Sequence, residues 1–336
     1  MKRFLAFIFL AVVFSSCDDG DLTQVSFDFD DSKAEACSVG TPNFFIYKIQ
    51  DNRALIVQLP ESSFPNRISA DLTTQPQPLT INGSSVRLVY REYSGKVTEN
   101  TMCSVVPVSS PTVIEEREAT AGQITITTTA IKSEPDANGA TKIIRYSHAL
   151  VFTNLVFELG GENTQINEAF TQVIYETNAV PFSNFAGLTG LFSCPDDDSF
   201  LFKYKADPAP LLTSQALVLD LSDADAAFLF SSEAGPKTRL ISSNSRLTHL
   251  FFDTKTTFLT NDYFCTIPTP GTPPITEAYK AENGVENQSG IIEVTTLASD
   301  NGYKHTIVLK KIRLAKGSLK VQMGDEFIYG EFETTN

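Results

Sequence analysis

The chain has 336 residues, 42% hydrophobic and 20% charged, the balance of a globular protein rather than a disordered one. Lys+Arg 26 against Asp+Glu 40 leaves a net charge of −14, which repels phosphate backbones and argues against a nucleic-acid partner. The length suits about two domains, and three histidines are too few for a His-rich metal site. Lys2 and Arg3 open the chain and an apolar run follows from Phe4 to Phe14. The run is too short to span a bilayer as a helix, which takes about 20 residues, and it fits the apolar core of a secretory signal.

The run ends in Ser15-Ser16-Cys17, and Asp18-Asp19-Gly20-Asp21 follows. The segment resembles the lipobox of bacterial lipoproteins, with Phe14 where Leu or Val is usual. The acidic tract resembles the one that Bacteroidetes-type lipoproteins carry after their cysteine. The resemblance covers about twenty residues. It implies a signal peptide over 1–16, lipidation at Cys17 and an acidic tether over 17–21. It places the protein at the outer membrane, facing the periplasm or the cell surface. No other segment approaches about 18 consecutive apolar residues, so lipid is the expected membrane attachment.

The remainder reads as a tandem duplication, 22–178 and 179–336. Ala54–Leu59 aligns with Ala216–Leu221 and Thr98–Cys103 with Thr260–Cys265, both at an offset of 162. Gly122–Thr128 aligns with Gly290–Thr296, Leu155–Gly160 with Leu319–Gly324, and Tyr175–Asn178 with Phe332–Asn336. The cysteines follow the repeat: Cys37 corresponds to Cys194 and Cys103 to Cys265. In an oxidising envelope such cysteines pair. Of three connectivities, only Cys37–Cys103 with Cys194–Cys265 keeps each bridge inside its own repeat.

In chain order, Phe44–Ile49, Val86–Arg91, Gln123–Thr127, Phe200–Tyr204, Leu250–Phe252 and Ile291–Val294 carry the β-branched and aromatic residues of strands. Gly, Pro, Asn and Asp clusters separate them. Hairpins are predicted at Thr153-Asn154 and at Lys316-Gly317. Ser222–Leu229 and Gln165–Tyr175 each have room for one helix or none. The expected fold is all-β: two antiparallel β-sandwich (or small barrel) domains with few short helices.

Candidate sites are sparse. His148, His249 and His305 fall in strands, and none is matched by a histidine at the equivalent place in the other repeat. No G-x-S-x-G or H-E-x-x-H motif occurs, so no catalytic residue is assigned. Asp196, Asp197 and Asp198 are weak calcium candidates without an EF-hand pattern, and no cofactor is expected. Lys304, Lys310, Lys311, Arg313, Lys316 and Lys320 form a basic stripe in an acidic chain. It suits an anionic ligand or partner, or else protects an edge strand. Ile307, Leu309, Ile312 and Leu314 all face inward only if the alternation breaks near Lys310-Lys311. The expected function is a non-catalytic, lipid-anchored envelope module with an envelope protein or polysaccharide as partner. A glycan-binding surface lipoprotein and a hydrolase with carboxylates not visible in sequence are the alternatives.

Overall fold

The computed structural model describes residue 29 and residues 31–335, apart from 38–43, 73–75, 105, 107, 160–161, 167–171, 184, 186, 189, 196, 206–213 and 255–256. The segments expected to be signal peptide and acidic tether, with Cys17, and Asp196 thus lie outside the described residues.

The first half contains β1 (Glu35–Cys37), β2 (Phe45–Gln50), β3 (Arg53–Gln58), β4 (Leu79–Thr80), β5 (Arg87–Tyr93), α1 (Glu99–Cys103), β6 (Val113–Lys132), β7 (Ile143–Leu159), β8 (Glu162–Ile166) and β9 (Val173–Asn178). They form one antiparallel sheet, β1-β2-β3-β5-β6-β7-β8, with β4 also on β6 and β9 also on β7. The long strands β6 and β7 serve both layers, so the sheet bends back around Phe29, Ile46, Leu55, Leu88, Ile124 and Phe157 in a barrel-like wrap.

The second half contains β10 (Phe192–Cys194), β11 (Asp197–Lys205), β12 (Ser214–Asp220), α2 (Asp223–Leu229), β13 (Gly235–Leu240), β14 (Arg246–Phe252), α3 (Asn261–Cys265), β15 (Ile275–Ala281), β16 (Ile291–Ser299), β17 (Gly302–Lys310), β18 (Arg313–Lys316), β19 (Leu319–Gln322) and β20 (Glu326–Thr335). Here the layers are separate sheets, β10-β11-β12-β14-β15-β18-β19 and β13-β16-β17-β20. They enclose Leu201, Leu217, Leu247, Ile292, Ile307 and Tyr329, as in a sandwich. The halves differ in whether the long strands are continuous: β7 runs unbroken where its counterpart is divided into β17 and β18. β6 runs unbroken between layers, whereas residues 282–290 interrupt its counterpart between β15 and β16.

The cross-strand pairs repeat. Thr128 faces His148 as Thr296 faces His305, and His148 faces Tyr175 as His305 faces Phe332. Phe157 faces Thr164 as Leu314 faces Val321. A single offset of 157 therefore runs from His148/His305 to Thr177/Thr334. This corrects the alignment of Leu155–Gly160 with Leu319–Gly324: Leu155 corresponds to Ile312.

Asn154 and Lys311 occupy one equivalent position, and both have positive φ, 53° and 50°. This is the break in alternation, and Ile307, Leu309, Ile312 and Leu314 are all buried around it. At Asn154 the break bends β7 without ending it, so no hairpin forms at Thr153-Asn154. The hairpin at Lys316-Gly317 does form, between β18 and β19. The segment from Gln165 to Tyr175 begins in β8 and ends in β9, not in a helix. Ser222–Leu229 holds α2, where Ser222 Oγ accepts from the Asp225 N–H at 3.2 Å.

Both disulfides close within their halves, Cys37–Cys103 and Cys194–Cys265. Each ties the strand that begins its half to a short helix, α1 or α3, over a small aromatic cluster. Between the second half's sheets, the fully buried Tyr329 hydroxyl lies 2.8 Å from the Leu201 carbonyl and 3.1 Å from that of Leu217. Tyr329→Phe removes this buried hydroxyl hydrogen bond while both carbonyls keep their places in the β11–β12 ladder. It is expected to cost about 0.5–1.5 kcal/mol, read as a lower urea midpoint at unchanged slope.

The halves share a core. Ile68, Ile143 and Tyr146 of the first pack with the second half's cluster. Asn138 Nδ2 donates to the Glu326 carbonyl at 2.8 Å, and the Asp325 N–H donates to the Asn138 carbonyl at 2.7 Å. Thr141 and Gln322 exchange two further bonds, both at 2.9 Å. The turn at Asp136–Gly139 is thus a bolt between halves.

Candidate functional site

Each half holds a histidine clamped between two threonines. Thr128 Oγ1 lies 2.8 Å from His148 Nδ1, and Thr177 Oγ1 lies 2.9 Å from His148 Nε2. Thr177 donates its own proton to Asn66 Oδ1, so it accepts from His148 Nε2–H, and Thr128 donates to Nδ1. In the second half Thr296 and Thr334 hold His305 the same way, each at 2.9 Å. Phe64 meets the His148 ring edge-on at 5.3 Å, as Phe230 meets His305 at 5.2 Å. Burial pushes both imidazoles down to about 4, with the nearby Lys237 charge adding to the effect on His305. His148 and His305 are therefore equivalent after all, which corrects the expectation that no histidine is matched. Their shared offset of 157, the same as for Cys37/Cys194, was the available signal. Fully buried and bonded at both nitrogens, they fasten strands.

His249 is buried differently. Its Nε2 donates to Gln215 Oε1 at 2.9 Å, and Gln215 Nε2 donates to the Pro181 carbonyl at 2.8 Å. Burial lowers this histidine to about 3. It is a fixed neutral donor at neutral pH.

The basic stripe divides in two. Lys304 pairs with Glu331 at 2.8 Å, Lys316 with Glu277 at 2.8 Å, and Lys310 with Glu293 at 2.8 Å and Glu326 at 3.6 Å. Carboxylates from adjacent strands neutralise these three. β17 lies between β16 and β20, so Lys304 and Lys310 do not guard an edge. Arg313 and Lys320 both reach Glu282, at 3.3 and 2.5 Å, and Lys311 makes no ion pair among the described residues. β19, which carries Lys320, is an edge strand.

Asp197 and Asp198 are exposed, and Asp197 Oδ1 accepts from the Ser199 N–H and hydroxyl at 3.0 and 2.6 Å. No group of three or more His, Cys, Asp or Glu side chains disposed to hold a metal ion occurs among the described residues.

A cleft of about 670 Å³ opens where the halves meet. Phe182, Phe185, Leu217, Leu314, Val321 and Phe327 give it apolar walls. Glu134, Asp136 and Lys142 of the first half, with Glu326 of the second, supply charge at its border. Its size and its mixture of apolar walls with polar and charged groups suit a ligand-binding cleft at a domain junction. Sequence reasoning missed it because its walls come from distant segments that no periodicity connects.

Comparison with family models, with curated proteins and with solved structures yields no match.

Proposed function

We propose that this chain is a non-catalytic, lipid-anchored interaction module of the bacterial cell envelope, with the junction cleft as its recognition site. The observation that carries the reading is the cleft itself, a hollow with apolar walls and charged groups between two halves that share a core and a hydrogen-bonded bolt. His148 and His305 are committed to clamping strands, and His249 is bonded to Gln215. Two disulfides accord with an oxidising compartment. The lipobox-like segment at Cys17 supports an outer-membrane anchor, and an envelope protein or polysaccharide is the proposed partner.

The test is affinity capture from intact envelopes, comparing the wild type with Ile328→Glu. Ile328 lines the cleft and is 64% exposed, so the substitution alters the site without disturbing the core. Loss of a captured component in the variant is expected. Identical capture would refute the cleft as recognition site. Cys17→Ser is expected to move the protein from the membrane to the soluble fraction. Retention of polysaccharide would favour the glycan-binding reading. That reading draws on Phe192, 42% exposed, whose ring lies 5.7 Å from Phe202 and 5.8 Å from Tyr204 at interplanar angles of 30° and 31°.

A further inference from the structure

We infer that the second half carries an oxyanion-binding pocket, separate from the junction cleft and built on Lys311, Arg313 and Lys320. These three residues, with Glu282, Asn283 and Ser289, line a cavity of about 300 Å³. The fold brings them together in three ways. The positive-φ break puts Lys311 between β17 and β18. The hairpin sets Lys320 opposite Ala315, two residues from Arg313. The end of β15 delivers Glu282, whose N–H donates to the Arg313 carbonyl at 2.8 Å.

Charge counting points to the ligand. Elsewhere along the stripe each lysine meets one or two carboxylates. Here three cations surround one, and Glu282 already binds both Arg313 and Lys320. Those partners, Lys320 foremost, hold its carboxyl below the usual range. Two positive charges remain in excess, in a chain whose net charge is −14. A concave site with local positive excess concentrates anions. A planar guanidinium beside two ammonium groups suits a carboxylate, phosphate or sulfate. The Asn283 amide and Ser289 hydroxyl can serve hydroxyl groups on the carrier, so the chemical class is a small polar molecule bearing one oxyanion, such as an acidic sugar.

The duplication supplies an internal control. The counterparts of Lys311, Arg313 and Lys320 in the first half are Asn154, Val156 and Asn163, and Thr120 stands for Glu282. The same strand pairing forms there without any of these charges, so building the hairpin does not require them. The side chains of Arg313 and Lys320 are about half exposed, and such ion pairs add little to stability.

The experiment is calorimetric titration of the full chain at low salt with sodium glucuronate, sodium phosphate and glucose. Glucuronate is expected to bind and glucose not. The Lys311→Gln/Arg313→Gln double variant is expected to weaken binding at least tenfold with an unchanged melting temperature. Lys304→Gln, on the neutralised part of the stripe, is expected to leave it unchanged. Phosphate binding without glucuronate binding would support the oxyanion site with free phosphate as its source. Absence of binding by both anions, or equal affinity in wild type and double variant, would overturn the site.

Discussion

Replacing Cys194 and Cys265 by alanine is expected to lower the stability of the folded chain by about 4 kcal/mol, and replacing Cys37 and Cys103 by about the same. The bridges close loops of 66 and 71 residues in sequence separation. In the chain-entropy account, loops of this length restrict the unfolded ensemble by roughly that amount, as an upper figure. Local structure offers little compensation. β1 and β10 have three residues each and α1 and α3 five, far below the length at which a helix holds by itself. Without its bridge, each small cluster over the outer sheet face loses the covalent link that seats its helix. In the second half that cluster is Phe202, Phe252, Leu259 and Tyr263. A typical domain is stable by only about 5–15 kcal/mol, so the chain without both bridges is expected to be largely unfolded at 37 °C. Urea titration of the oxidised chain against each double variant measures the effect. A midpoint unchanged on loss of either bridge would show that packing alone seats α1 and α3.

Much of this framework was legible in the residues, for a physical reason. Strands such as Phe200–Tyr204 announce themselves through β-branched and aromatic content, and the cysteines pair because the duplication limits the choices. The failures occurred where the chain departs from local rules. Asn154 reads as a turn because asparagine tolerates positive φ, yet hydrogen bonding on both sides of it keeps β7 one strand. The equivalent Lys311 has a side chain that gives no such hint. The stripe of lysines looked uniformly basic because the carboxylates that neutralise half of it, Glu277, Glu293 and Glu331, come from neighbouring strands. The cleft was the least legible element. Phe182, Leu217 and Phe327 face it together only after two sheets and a linking segment have closed on the first half. The equivalence of the two clamped histidines was present in the numbering and was concealed by loop insertions that shift the offset before β7 and β17.

Those histidines should make the fold sensitive to mild acid. The imidazoles of His148 and His305 lie at about 4, against the ordinary 6.5. A base with a depressed folded-state pKa favours the neutral form in the fold, so below pH 6.5 the unfolded chain takes up protons that the folded chain refuses. Stability contributed by each clamp is therefore complete above pH 6.5, falls as pH drops, and levels off below about pH 4. At 1.36 kcal/mol per pH unit, the loss at pH 4 is about 3 kcal/mol for each histidine. His305→Gln isolates the effect. At pH 7 the variant is expected to be less stable than the wild type, because one or both threonine hydroxyls lose their partner in a buried site. At pH 4.5 the gap is expected to narrow or reverse, because the variant has no imidazole to protonate. Urea midpoints from pH 7.5 to 4.5 would show wild type and variant converging, with the slope of stability against pH reduced by about one proton's worth. Curves that stay parallel would mean that His305 takes up its proton equally in both states, which a ring buried between Thr296 and Thr334 should not do.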